Sequence, residues 1–496
     1  MRTLKTKTSK LIYACAALGV NLLNLMVGSY LCSAIIAEGF GAQQLANHTF
    51  EGHDLVIAGL WAIFGVIAKI IDGVIDIPMA SFTDRLKSRW GRRRPAILIG
   101  MVPMIISYCL FLLVPNKEGI TLLNTIYYFV ILSIFYTTYT LTMVTYYATF
   151  TEIVDTEEDR RFISNVKSVC DIVYFILGFV LVPMFLNGLN IRIVALIVLP
   201  LVLTMLIPIF MIKEPSTKDG ANSYEKTVNL FQSLKYTFKN KDFIVWMVVY
   251  AFMTFGLQLF LNGINEFFSI TGLSMMIVMA SSFAPVPFTF FIYNRLIKKK
   301  GFGFAFRYVL SMYSIGMIGM FFAAFVQNGT IKLILAIVCA LFCSLAVGAL
   351  FSVAYSIPSQ LAAEDEQRTG ISHSAMYFAV QGLFSGVASG IGGTAFLTLL
   401  KKSSFNGQKG TFYTTLFAGI ACLIACLLIA ILPASIRRMG KENAEGEVYD
   451  DRSFKQKVFD WIAGEPTKLE RILYWVGLCV VLCVCAILIV IVAAKL

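Results

Sequence analysis

Lys69, Asp72 and Asp76 stand inside an otherwise apolar stretch of this chain. Spacings of three and four put all three on one face of a helix. An ionised group at membrane depth is costly unless it is paired or working, so each is a functional candidate. Two acids against one base leave a negative charge over. A monovalent cation would balance it, either Na⁺ through hard carboxylate oxygens or H⁺ by titration. The competing assignment, an ion-pair network that merely fastens helices, leaves that extra acid unexplained.

The elements that must hold these residues are apolar helices. Of the 496 residues, 58% are hydrophobic and 14% charged, and the mean hydropathy is +0.77. The apolar residues come in runs of about 20, long enough to cross a ~30 Å hydrocarbon core as helix. The alternating short strands of a membrane barrel are absent from the pattern. Spans are predicted at 11–36, 55–81, 95–115, 121–150, 165–187, 190–213, 243–265, 272–295, 305–327, 331–357, 371–400, 411–434 and 471–494. The first twelve divide into two sets of six, residues 1–213 and 243–435, around a polar stretch at 214–242. That is the major-facilitator arrangement, an all-α 6+6 bundle. Residues 436–470 form a linker in which Phe454, Val458, Trp461 and Ile462 share one face of an interfacial helix. An additional transmembrane helix follows in 471–496.

The net charge of +12 does not indicate a nucleic-acid partner, because Lys and Arg sit between apolar runs and not in an aromatic-lined groove. They gather on alternate loops, at 85–94, 213–241, 295–300 and 437–441. The positive-inside bias then places the N-terminus in the cytoplasm, the C-terminus outside, and the chain in the plasma membrane. The basic start runs straight into a retained first span with no cleavable signal. All eleven Cys lie in apolar runs and are read as packing residues. An internal repeat supports the two sets: Pro78 to Leu86 and Pro287 to Leu296 end spans two and eight alike, each before a basic turn.

After Asp84 and Arg85 come Ser88-Arg89-Trp90-Gly91-Arg92-Arg93-Arg94-Pro95. An acid at a helix end facing a Gly turn and several Arg suits a gate that forms in one conformation. Asp84, Arg85, Arg92 and Arg93 are the gate candidates, with Arg161 from the acidic–basic run 152–161 as their partner across the cytoplasmic face. Together with Asp72-Gly73-Val74-Ile75-Asp76-Ile77-Pro78-Met79, this stretch resembles the glycoside–pentoside–hexuronide:cation symporter (melibiose-permease-like) family. So does Glu364 to Gly370, read as a loop, with Ala375 to Phe384 after it. The resemblance covers roughly residues 11–435. It implies a cation site of Asp72, Asp76 and Thr140, with Lys69 where the family often has Arg. It also implies departures: Asn21, Met143 and Gln381 stand where the family's sugar clamp carries charge.

Asn21, Asn24, Lys69, Tyr146, Tyr147, Gln258, Asn262 and Gln381 are the candidate solute contacts, all polar at membrane depth. Gln258 and Asn262 share a face, and Glu266 falls at the outer mouth. No nucleophile–base pair, P-loop or His–acid cluster accompanies them, so no catalytic residue, no organic cofactor and no metal other than Na⁺ are expected. The function expected is Na⁺- or H⁺-coupled symport of a small solute, a sugar or glycoside, by a monomer alternating access across the bilayer. A lysolipid or other amphiphile transporter with a cavity open sideways around Met143, or an uncoupled facilitator, stands as the alternative.

Overall fold

The computed structural model describes residues 6–41, 44–149, 157–212, 240–369, 374–405, 407–432 and 434–439. Among these, twelve helical spans follow one another. They are α1 (Lys7–Ala34), α2 (Ala58–Arg85), α3 (Arg93–Phe111), α4 (Leu122–Ala148), α5 (157–186), α6 (Ile191–Met211), α7 (Lys241–Thr271), α8 (Met275–Phe283 and Val286–Lys300), α9 (Phe302–Ala323), α10 (Gly329–Thr369), α11 (374–402) and α12 (Gly410–Ile431). Eleven are long and apolar enough to cross a membrane. The remaining one, α8, is interrupted at Ala284 and Pro285. Large apolar side chains such as Ile63, Val74, Ile106, Phe288, Phe291 and Leu399 face outward. That exposure suits lipid, where every backbone group is already bonded within its own helix. The linker, the interfacial helix and the additional helix expected after residue 439 lie outside the described residues, as does most of the polar stretch 214–242.

Local chemistry sets the helix ends. Asn240 accepts from the backbone N–H of Asp242 and Phe243 and starts α7, and Thr121 does the same for α4 through Asn124. Gly91 and Gly301, which close the two basic turns of the internal repeat, both have φ of +84°. A side chain would strain that backbone, so the repeat shares a glycine-dependent φ, although α2 ends at Arg85 while α8 stays helical to Lys300. These turns, with Arg92 to Arg94 and Lys298 to Lys300, define a basic end of the bundle.

Two expectations need correction. The run Glu364 to Thr369, read as a loop, is the last part of α10, which continues unbroken through Pro358 for 41 residues. At 1.5 Å per residue it is ~60 Å long and stands well clear of a ~30 Å hydrocarbon core. Likewise Glu157 to Arg161, which precede the expected span 165–187, form the first turns of α5.

Spans α1–α6 pack together (α2 and α3 on α4, α1 on α5 and α6), as do α7–α12 (α9 on α10 and α12, α7 on α12). The two sets meet along α2–α11, α5–α8 and α1–α7. The α2–α11 contact is unusually close. A Cβ on Gly73 would lie 2.5 Å from the Gly382 carbonyl oxygen, and one on Gly386 2.5 Å from that of Lys69. Three spans widen into π-turns, at Met26–Leu31 of α1, Leu177–Leu181 of α5 and Ile391–Phe396 of α11. Such turns loosen carbonyls from the helical ladder. Two of these find side-chain donors: Tyr30 on Gly178 at 2.6 Å and Asn262 on Gly393 at 3.2 Å.

Candidate solute and cation site

Where the two sets meet lies a cavity of about 350 Å³, within the range of small-molecule sites. Both sets line it, and the π-turns of α1 and α5 contribute Gly28, Ser29 and Phe179 to its wall.

One wall is charged. The Lys69 ammonium donates to Asp72 Oδ2 at 3.3 Å and lies 3.7 Å from the centre of the Tyr136 ring on α4. One turn along α4, the Thr140 hydroxyl donates to Asp72 Oδ1 at 3.1 Å. Lys69 and Tyr136 face the cavity, with Asp72 and Thr140 directly behind them. The pair is 17% and 25% exposed, so the carboxylate is reachable and keeps free lone pairs. Asp76 lies one turn further along α2, and its side chain is outside the described residues.

A second charged group was not singled out from the sequence. On α5, Lys167 pairs with Asp171 Oδ2 at 2.5 Å. The Asn21 amide donates to Asp171 Oδ1 at 3.5 Å, and the Asn21 carbonyl accepts from the Tyr139 hydroxyl at 3.1 Å. Lys167 also sits 5.3 Å from the Tyr147 ring centre. The signal was present, because Lys167 and Asp171 fall inside an expected span at i,i+4 spacing, as open to suspicion as Lys69 and Asp72.

The opposite wall is neutral. Gln258 and Asn262 reach in from α7, beside Thr254, with Tyr250, Phe283 and Tyr313 supplying aromatic surface. Asn24 and Gln258 have no hydrogen-bond partner among the described residues, so water or solute must satisfy them.

Of the expected solute contacts, Asn21, Asn24, Lys69, Gln258 and Asn262 line the cavity. Tyr146 does not: it is fully buried, and its hydroxyl donates to the Tyr13 carbonyl at 2.7 Å, tying α4 to the start of α1. Tyr147 packs near Lys167, and Gln381 accepts from the Trp246 indole at 3.0 Å between α11 and α7. Met143 is buried in the core. Of the gate candidates, Arg92 is half-buried and Arg93 buried where α3 begins. The neighbouring Arg94 donates to the Ile209 carbonyl at 2.7 Å. The side chains of Asp84, Arg85 and Arg161 lie outside the described residues.

At the end opposite the basic turns, polar contacts bind the two sets together. Glu266 of α7 is fully buried, pairs with Lys401 of α11 at 2.5 Å and accepts from the Ser33 hydroxyl of α1. Lys401 also donates to Ser33 Oγ at 3.1 Å. Glu266 Oε2 has no partner among the described residues. Around this core, Lys402 bridges Glu38 and Asp54, Lys409 reaches the carbonyls of Glu38 and Phe40, and Asn265 donates to the Ser29 carbonyl at 2.5 Å. A narrow extension of about 20 Å³ runs from Lys69 and Asn262 toward Ser33 and Lys401.

Known proteins share this arrangement. The nucleoside transporter NupG superposes with a TM-score of 0.57 at 15% identity, over 86% of this chain and 99% of that one. A bacterial homologue of the human lysosomal transporter Spinster, in an inward-facing and unoccupied conformation, gives 0.54 at 13% identity, over 85% of this chain and 97% of that one. At such identities the likeness is one of fold. An uncharacterized symporter of Synechocystis sp. is 31% identical over 128 residues, 25% of this chain. The match spans 24% of that relative's own length. A family profile described as MFS/sugar transport protein matches residues 12–436. With twelve described spans around one central cavity, this multi-pass chain belongs to the MFS/sugar transport protein family of membrane transporters.

Proposed function

We propose that the chain is a cation-coupled symporter of a small uncharged solute, a sugar or glycoside, working as a monomer in the plasma membrane. The observation that carries this reading is the partly exposed Asp72 carboxylate just behind the cavity wall, held by Lys69 and Thr140. Asp72 and Thr140 offer hard oxygens, and Asp76 on the next turn offers more, which suits Na⁺ or a transferable proton. The cavity supports a solute with both hydroxyls and a weakly apolar face, since amides line one side and aromatic rings flank them. Because basic loops favour the cytoplasm, the contacts around Glu266 and Lys401 close the external end, which corresponds to an inward-facing or occluded stage of alternating access. Neutralising the excess acid of the Lys69, Asp72 and Asp76 group with the cation would lower the cost of bringing the two sets together around loaded solute.

An amphiphile is the second reading. A recess of about 960 Å³ along α7, α11 and α12, lined by Phe252, Phe255, Phe384, Phe396 and Phe417, supports it. That recess shares no lining residue with the central cavity, whose polar wall favours the smaller solute.

The test is uptake into proteoliposomes of labelled glycosides, pentosides and a lysophospholipid, with and without a Na⁺ or H⁺ gradient. Wild type is expected to accumulate a glycoside or pentoside against its gradient, and Asp72→Asn to lose accumulation. Uptake indifferent to both gradient and substitution would overturn the coupling role.

A further inference from the structure

We infer that Asp171 is a solute-binding carboxylate, and that the Lys167–Asp171–Asn21 group forms a hydroxyl-recognition subsite for an uncharged polyol at the edge of the cavity. This inference rests on the symport reading above and names the residue and ligand chemistry within it.

Three observations carry it. The first is position. Asp171 is one helical turn from Tyr174 and Phe175, both of which line the cavity, and it is bonded to Asn21, which lines it too. The second is spare capacity. Oδ2 is taken by Lys167 at 2.5 Å, but among the described residues Oδ1 meets just the Asn21 amide at 3.5 Å, the outer limit of a hydrogen bond. A pair whose sole task was to fasten a helix would have no need to keep an acceptor in reserve at a cavity edge. The Asp171 and Lys167 side chains also stay 14% and 18% exposed. The third is the balance of charge. Lys167–Asp171 is net neutral, and Lys69 with Asp72 and Asp76 is balanced once the proposed cation is bound. A charged solute would leave its own charge uncompensated among these pairs. A polyol adds no charge, and adjacent hydroxyls can donate to the carboxylate while accepting from the ammonium. Tyr139 bonds Asn21 and the Tyr147 ring lies beside Lys167, while Tyr174 lines the cavity and supplies aromatic surface for the C–H side of such a solute.

The experiment uses the full chain in proteoliposomes. The probes are methyl β-glucoside, methyl β-xyloside, sorbitol and glucuronate, with monodeoxy analogues of whichever neutral probe is transported. Wild type is expected to take a neutral probe over glucuronate and to reject at least one monodeoxy analogue by tenfold or more. Asp171→Asn should raise the half-saturating concentration of the parent probe at least tenfold and lose that discrimination. Its half-saturating cation concentration should stay within twofold of wild type. Asp171→Glu keeps the charge but moves it by one methylene, and carries the test should Asp171→Asn assemble poorly, with a rise of several-fold expected. A well-assembled Asp171→Asn that saturates like wild type, or Asp171→Glu at the wild-type value, overturns the subsite. Preference for glucuronate overturns the neutral-ligand assignment. Cation-independent uptake that still responds to Asp171→Asn would sink the coupling reading and leave Asp171 standing. Transport of none of the neutral probes would sink both.

Discussion

Among the described residues, lysines and acids meet in two regions, and the two are connected differently. Beside the cavity, Lys69–Asp72 and Lys167–Asp171 each join neighbours on a single helix, partly exposed, within one set of spans. At the end opposite the basic turns, Ser33 of α1 bonds the Glu266–Lys401 pair of α7 and α11, while Lys402 of α11 bridges Glu38 and Asp54. Cavity pairs persist whatever the two sets do, so they are free to serve ligands. The contacts of Ser33 and Lys402 exist just while the sets are together, so they record conformation. Burial singles out the Glu266–Lys401 pair, at 0% and 3% exposure against 14–25% for the cavity pairs, while Lys402 and Glu38 around it stay 35% and 49% exposed.

The largest test of this contrast is Glu266→Gln. It leaves the Lys401 ammonium buried without its counter-charge, a loss of about 3–5 kcal/mol from the closed arrangement. Spin-label distances between positions 44 and 407 should lengthen, and Glu266→Gln with Lys401→Met should recover much of the closed population. An unchanged distance would mean that the pair does not hold this end shut. Gly386→Leu should follow, because its Cβ alone would press on the Lys69 carbonyl at 2.5 Å. Overpacking of this kind costs about 1–3 kcal/mol. It is expected to lower both thermal stability and the closed population, and stability equal to wild type would argue against the close α2–α11 contact. Gln258→Ala belongs to the other category. Loss of one solute hydrogen bond, about 1 kcal/mol, should raise half-saturation roughly fivefold while distances and cation dependence stay put. A shift in the distances instead would break the division.

The smallest effect concerns His48, in the connection between α1 and α2. Burial holds its imidazole below the ordinary histidine value, against the raising influence of the Gln44 carbonyl and Glu266. The unfolded chain therefore takes up this proton at a higher pH than the folded one. The contribution of His48 is full above about pH 6.5 and is lost as pH falls through the lower folded value. Thermal unfolding followed from pH 7 to 5 should slope less steeply in His48→Gln, and an equal slope would remove His48 from the account.

Hydropathy made most spans legible because lipid demands an apolar run wherever the chain crosses. It missed what lies beyond the lipid. The last turns of α10 carry Glu364, Asp365 and Glu366 and read as loop, though nothing in them breaks a helix. The break in α8 was signalled by Pro285 and Pro287, which the apolar run around them concealed. In the site, Lys69 and Asp72 stood out because they are isolated in an apolar stretch. Asp171 did not, since Ser164, Asn165, Lys167 and Ser168 before it make that stretch look like a span edge. Glu266 was placed at the outer mouth, but Lys401 beside Lys402 reads as a loop charge until α7 and α11 are seen together. Tyr146 and Gln381 show the reverse limit. A hydroxyl or amide inside a span looks the same whether it meets a solute, the Tyr13 carbonyl or the Trp246 indole.

The π-turn at Met26–Leu31 sets a phase between the two regions. Such a turn is a helix carrying one residue too many, and subtraction can restore its register. Asn21 and Asn24 precede it and Ser33 follows it. Removing a single residue from the turn would rotate everything beyond it by about 100° around the axis of α1. Ser33 would swing away from Glu266 while Asn21 kept its place beside Asp171. One codon would then separate recognition of the solute from closure of the far end, an easy step for a lineage that drifts from driven uptake toward a leak.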